Sequence, residues 1–208
     1  MSHTPSRTTT EPPIYGVWRR AVHAWLLVVS LLAGLLAPMS VRAQQPLPPP
    51  VVQPFNDGAY WTLIQPFTYI IGQTSHQITV PAGFVTDFAS IPAVLRGLLS
   101  PTGQEGRAAI IHDYLYWEQR CSREQADWIL RLGMIESRVP LVTRQAVYWA
   151  VRAMGESAWV VNAADRRDGQ PRVIPAIDIA TISPLALWPE FRRQLFARGD
   201  LPGVFRTS

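Results

Sequence analysis

The sequence predicts an α+β domain: a small antiparallel sheet, then a helical hairpin and a third helix, closed by an irregular C-terminal extension. Two observations carry that expectation. Between Tyr60 and Val85 the apolar residues are aromatic or β-branched and fall into short runs separated by Gly and Pro, which is the pattern of short antiparallel strands. From Ala108 onward the apolar residues recur at helical spacing instead. A third observation sets where the domain begins, because the residues before Gln44 read as a leader.

In that leader, residues 1–43, Arg19 and Arg20 precede Trp25–Ala37 (WLLVVSLLAGLLA), an apolar run without charge that Pro38 ends. The run suits the hydrophobic region of a signal peptide and is short for a spanning helix, which needs about 20 apolar residues. Val41-Arg42-Ala43 offers a cleavage site before Gln44. The expected localisation is export to the periplasm or beyond; an uncleaved N-terminal membrane anchor is the alternative. Residues 44–54 (QQPLPPPVVQP) read as a proline-rich linker, extended and unpacked.

Removal of the leader reinterprets the charge. All 19 basic residues are arginine, and the chain's formal net charge is +4. Past Ala43 the balance is fifteen arginines against fourteen acids, a net charge of +1. A nucleic-acid partner is therefore not expected. Cys121 is the only cysteine, which excludes an intrachain disulfide and a zinc site built on several thiolates.

The domain proper is placed at residues 55–159. Strands are expected in YWTLI, FTYII and HQITV, with a turn over Gly72–Ser75. Ala108, Ile111, His112, Leu115 and Tyr116 then follow the i, i+3, i+4, i+7, i+8 rule of one helix. Ser122-Arg-Glu-Gln125 is a capping-box pattern, and Ala126, Ile129, Leu130, Gly133 and Met134 form the inner face of a second helix. Pro140 opens a third, whose face runs through Val147, Val151 and Met154 to a stop at Gly155. Residues 160–208 read as an irregular, proline-broken extension. It holds one short helix, Pro189–Arg198, with Phe191 and Leu195 inward and Gly199 at its end.

The chemistry concentrates in IIHDYLYWEQR, Ile110–Arg120. Helical spacing points His112 inward with the apolar stripe and turns Asp113 about 100° away, toward Ala109 and Tyr116. A tight hairpin brings Asp127, one turn into the second helix, opposite His112. An imidazole held by a carboxylate is an acid–base unit, because the carboxylate selects the tautomer and raises the ring's basicity. It is equally a buried hydrogen-bond pair that specifies packing. Asp113 and Asp87 are left to hold a cation or steady a loop. Metal-dependent phosphohydrolase chemistry is not expected, since it needs several histidines and only His76 and His112 lie beyond the leader.

VTDFASIP, Val85–Pro92, is the second unusual stretch. Asp87 and Ser90 are spaced to bond the backbone and cap a helix opened by Pro92. Ser90 as a nucleophile would need His112 beside it, and the Gly-x-Ser-x-Gly elbow is absent.

VPAGFVTDFASIP, AAIIHDYLY and SREQADWIL together resemble the bacterial and phage family called domain of unknown function 1353, over about Phe67–Gly155. That family name implies no activity. A shorter resemblance, over some twenty residues, is to phospholipases A2, in the pattern His-Asp-x-x-Tyr with an Asp on the returning helix. It implies that His112 activates a water, Asp127 orients it and Asp113 ligates calcium. Leu115 stands where that family has a disulfide cysteine, and no glycine-rich loop precedes the helix at the family's distance; Pro101–Gly106 lies too close.

Two functions follow as expectations. One is a small hydrolase in which His112 and Asp127 act on envelope lipid or ester substrates, supported by Asp87, Ser90 and Tyr116. The other is a non-catalytic, phage-derived structural or envelope-binding module whose His/Asp cluster is a buried network. Both place a membrane lipid or cell-envelope component as partner.

Overall fold

The computed structural model describes residues 49–88 and 103–199. All of them fall within Gln44–Ser208, one of the two units into which the chain divides. The expected leader, residues 44–48 of the linker, Ser90 and the helix start at Pro92 lie outside the described residues.

The α+β expectation holds. Strands β1 (Val52–Pro54), β2 (Trp61–Leu63) and β5 (Val85–Thr86) form an antiparallel sheet in the order β1-β2-β5. Strands β3 (Phe67–Ile70) and β4 (Gln77–Val80) form a hairpin with Phe67 opposite Val80 and Ile70 opposite Gln77. In β3, Phe67 and Tyr69 are buried while Thr68 and Ile70 face out, the two-residue period of a half-buried strand. The hairpin turn falls where expected. Gly72 takes φ +57°, and Thr74 bonds back to the Ile71 carbonyl through both its amide and its hydroxyl.

The linker is shorter than the sequence suggested. Val52–Pro54 pairs with Trp61–Leu63, because Val51–Val52 is β-branched and Pro54 sits on an outer strand, where its missing N–H costs nothing.

Helices α1 (Gln104–Glu118), α2 (Arg123–Glu136) and α3 (Leu141–Met154) follow. The α1–α2 hairpin is held close at Gly133, where a Cβ would come within 3.1 Å of the Ala108 Cβ. Ser122 and Gln125 make both bonds of the capping box. Helix α1 is buried on nearly every side, from Ala108 through Asp113 and again from Leu115 through Trp117. A helix enclosed this way is the centre of a core rather than its lid. In α3, Val147 and Val151 are buried, but Met154 is 49% exposed and leaves the expected face.

The C-terminal region is more ordered than expected. Gly155 does not end the helical region, since α4 (Glu156–Arg167) begins at once. Its Trp159 and Ala158 pack on the main core. Residues 172–174 then run beside β5: Val85 N–H donates to the Arg172 carbonyl at 2.9 Å and Ile174 N–H to the Gly83 carbonyl at 2.8 Å. Gly83, with φ +83°, permits this approach, because a Cβ there would stand 2.1 Å from the Ile174 carbonyl oxygen. After α5 (Ala176–Ile179), helix α6 (Trp188–Arg198) ends at Gly199 as expected. Trp188 and Leu195 are buried with Phe55, Val85, Ile174 and Ile182 in a second, smaller core, and Phe191 packs partly buried against it. Among the described residues no helix is long and apolar enough to cross a membrane.

Candidate functional site

The two sheets and α4 enclose α1, so its polar side chains must find partners inside the protein or destabilise it. His112 and Tyr116 stand one turn apart on α1, with ring centroids 4.1 Å from each other. The hairpin sets Asp127 of α2 opposite both. His112 Nε2 lies 2.9 Å from Asp127 Oδ1, and the Tyr116 hydroxyl donates to the same oxygen at 2.7 Å. Asp127 Oδ2 accepts from Arg152 Nη1 at 3.0 Å and Arg123 Nη1 at 3.3 Å. One carboxylate thus accepts from four side chains on three helices.

His112, Tyr116 and Asp127 are each 0% exposed. Burial alone would raise the Asp127 pKa, but hydrogen bonds from His112, Tyr116 and Arg152 outweigh it and hold the carboxyl below its usual range. Burial pushes the His112 pKa below the ordinary imidazole value, and the opposing attraction of Asp127 does not reverse it. The pair is therefore a neutral ring against an ionised carboxylate at neutral pH. Nε2 carries the proton, leaving Nδ1 as an acceptor. Nδ1 is buried and has no hydrogen-bond partner among the described residues. Burial, followed by Asp127, also drives the Tyr116 pKa far above its ordinary value, so its hydroxyl stays a donor.

Two guanidiniums complete the cluster. Arg123 also binds Glu156 at 2.9 Å and reaches the Val151 and Arg152 carbonyls at 3.3 Å. It ties the end of α3 to the start of α4. Gly155 occupies that junction because a Cβ there would fall 2.4 Å from the Tyr116 hydroxyl oxygen. Its role is to give Tyr116 room, beyond the helix stop that the sequence suggested. The Tyr116 ring packs edge-on against Trp159 at 5.1 Å.

Asp113 does not join this cluster. It is buried, and its Oδ2 accepts from the Thr86 hydroxyl at 2.5 Å. The Thr86 Oγ1 in turn accepts from the Phe88 amide at 3.1 Å. This chain steadies the exit from β5, where Phe88 takes the left-handed φ of 47°, a conformation that costs a bulky residue energy unless its surroundings hold it. Of the two expected uses of Asp113, cation ligand or loop support, the geometry favours the second. Among the described residues no three His, Cys, Asp or Glu side chains converge.

Asp87 is partly exposed and lies 3.6 Å from Arg172 Nη2; its charge also acts on His112. Ser90 lies outside the described residues. Of the expected site residues, the fold unites His112, Tyr116 and Asp127 and separates Asp113 and Asp87 from them. Sequence reasoning missed Arg123, Arg152 and Thr86. Arg123 was findable, being i−4 to Asp127 on one helix. Arg152 and Thr86 have no local signal, since they arrive from another helix and from a strand.

Residues 61–151 match the family described as protein of unknown function (DUF1353), the same family that the motifs resemble. The match covers β2 through most of α3 and includes every member of the Asp127 cluster except Arg152. No curated protein and no solved structure matches the chain.

Proposed function

We propose that this protein is an exported, non-catalytic envelope-binding module in which the His112–Asp127 cluster is an internal brace. The observation that carries this reading is the complete burial of His112. A base that meets no solvent meets no substrate, whereas a polar network in the same place specifies one packing of α1, α2 and α3. The apolar run Trp25–Ala37 and the basic pair before it supply the reason to place the module at the envelope.

Chemical modification separates brace from site within one sample. Diethyl pyrocarbonate should acylate exposed His76 readily in the folded protein and His112 only after unfolding. Fast modification of His112 in the native state would overturn the brace reading.

One observation supports a second reading, the hydrolase. The Nδ1 of His112 is an acceptor without a partner among the described residues, set across the ring from the carboxylate that fixes its tautomer. In a conformer open to solvent, Nδ1 would take the proton of a water attacking an ester, and Asp127 would stabilise the imidazolium formed. The test is turnover of lipid, ester or peptidoglycan substrates, with and without calcium. Activity abolished by Asp127→Asn with the fold intact would establish this reading in place of the first.

A further inference from the structure

Residues 172–174 engage β5 through backbone, side chain and charge together. Val173 lies antiparallel opposite Phe84, and the segment takes both polar groups of the Val85 backbone. The Val85 N–H donates to the Arg172 carbonyl at 2.9 Å, and the Val85 carbonyl accepts from Arg172 Nε at 2.7 Å. Arg172 Nη2 also lies 3.6 Å from Asp87, so one guanidinium meets a backbone carbonyl and a carboxylate. Successive side chains go to opposite faces, as in any strand: Val173 packs on the main core and Ile174 is buried in the second. Pro171 and Pro175 bracket the segment; neither has an N–H, which keeps the added strand short.

The acceptor and its occupant come from different parts of the chain. Gly83, Val85 and Asp87 lie within residues 61–151, which match the family, and the segment lies beyond them. The tail that carries it, residues 169–199, has a second hold. Buried Trp188 stands 5.5 Å from the Phe55 ring and 6.4 Å from the Tyr60 ring, and its N–H donates to Asp57 Oδ2 at 2.9 Å. An added strand, pockets for alternate side chains and an anchoring ring are the means by which a sheet edge recognises an extended peptide. We propose that the β5 edge is a peptide-accepting site for an extended strand in which arginine precedes two β-branched residues, and that this chain fills it with its own tail. A tether holds the tail at an effective concentration on the order of millimolar, so even a weak site stays occupied until the tail is released. The inference is independent of the envelope reading.

The full chain tests it once the tether can be cut. A protease recognition sequence inserted between Asp168 and Gly169, in the turn after α4, lets the folded protein be nicked there. The nicked protein should unfold as cooperatively as the uncut one and keep its tail bound. An excess of fluorescein-labelled peptide of residues 169–199 should then displace that tail, seen as a rise in anisotropy, while the uncut chain binds no peptide at the same concentration. Unlabelled peptide carrying Arg172→Ala should compete roughly tenfold less well, having lost a charged donor. Peptide carrying Ile177→Ser, changed where the chain is 83% exposed, should compete as the parent does. Unfolding of the nicked protein, or a bound tail that never exchanges, would make the segment a fixed part of the domain and overturn the proposal. Equal binding to the uncut chain would show that the tail does not fill the site, and equal competition by the Arg172→Ala peptide would show that arginine is not recognised; either result overturns it too.

Discussion

Two neighbouring stretches of the α2–α3 contact use the same residue types differently. In the first, Arg123 and Arg152 are spent on one buried carboxylate, and Tyr116 donates to it. One turn further along α2, Arg131 stacks on Trp128 and Tyr148, with no carboxylate among the described residues. In the first stretch a polar group left without a partner costs free energy, and the carboxylate collects the donors. In the second, aromatic faces rather than an anion hold the guanidinium. Arginine chemistry alone thus says little about role; its partners do.

The comparison breaks most severely at Asp127. Asp127→Ala should destabilise the protein by about 3–5 kcal/mol, because it leaves two guanidiniums and two neutral donors around a cavity. Urea unfolding with an unchanged slope would measure it. His112→Ala should cost less, since Asp127 keeps three donors, and a loss equal to that of Asp127→Ala would contradict the central place of the carboxylate.

Gly155→Ala comes next, at about 1–3 kcal/mol, as the new methyl group drives into the Tyr116 hydroxyl. Tyr116→Phe in the same chain should recover part of that loss. A double-mutant cycle without coupling would show that Gly155 serves the backbone alone.

Acid should uncover the cluster in two steps. The folded pKa of His112 is depressed, so the unfolded chain binds the proton first. Stability present above about pH 6.5 is then lost as pH falls toward the folded pKa. Asp127, also depressed, adds a second loss below about pH 3.9 by the same sign. Denaturant midpoints across pH should show both declines in the wild type and only the lower one in His112→Gln.

Smaller effects sharpen the contrast. Ser122→Ala removes a cap hydroxyl that accepts from Gln125 N–H and should cost about 1 kcal/mol by thermal unfolding. Trp149→Ser, at an exposed ring, should stay within about 0.5 kcal/mol. A large loss there would mean that the ring belongs to the core.

Much of this architecture was legible because it is local. The strand alternation at Phe67–Ile70, the turn at Gly72, the capping box at Ser122 and the stop at Gly199 each depend on residues within a few positions. Even the His112–Asp127 pair could be foreseen, since a short hairpin between two periodic helices permits few registers. Helix α4 was missed because its apolar residues are divided: Trp159 packs inward, while Val160 and Val161 are more than half exposed. The segment 172–174 was missed because a strand with proline on both sides carries no period to read.

By itself, then, the sequence determined the α+β order, the helix that carries His112 and the leader-like composition before Gln44. Tertiary structure alone decided that α1 is enclosed, that Asp127 is shared by four donors, that Asp113 turns to Thr86, and that Arg131 stacks between Trp128 and Tyr148. The physical reason is range. Backbone preference and hydrophobic period act between near neighbours along the chain, whereas the partner of a charge and the exposure of a ring depend on which distant segment arrives beside it.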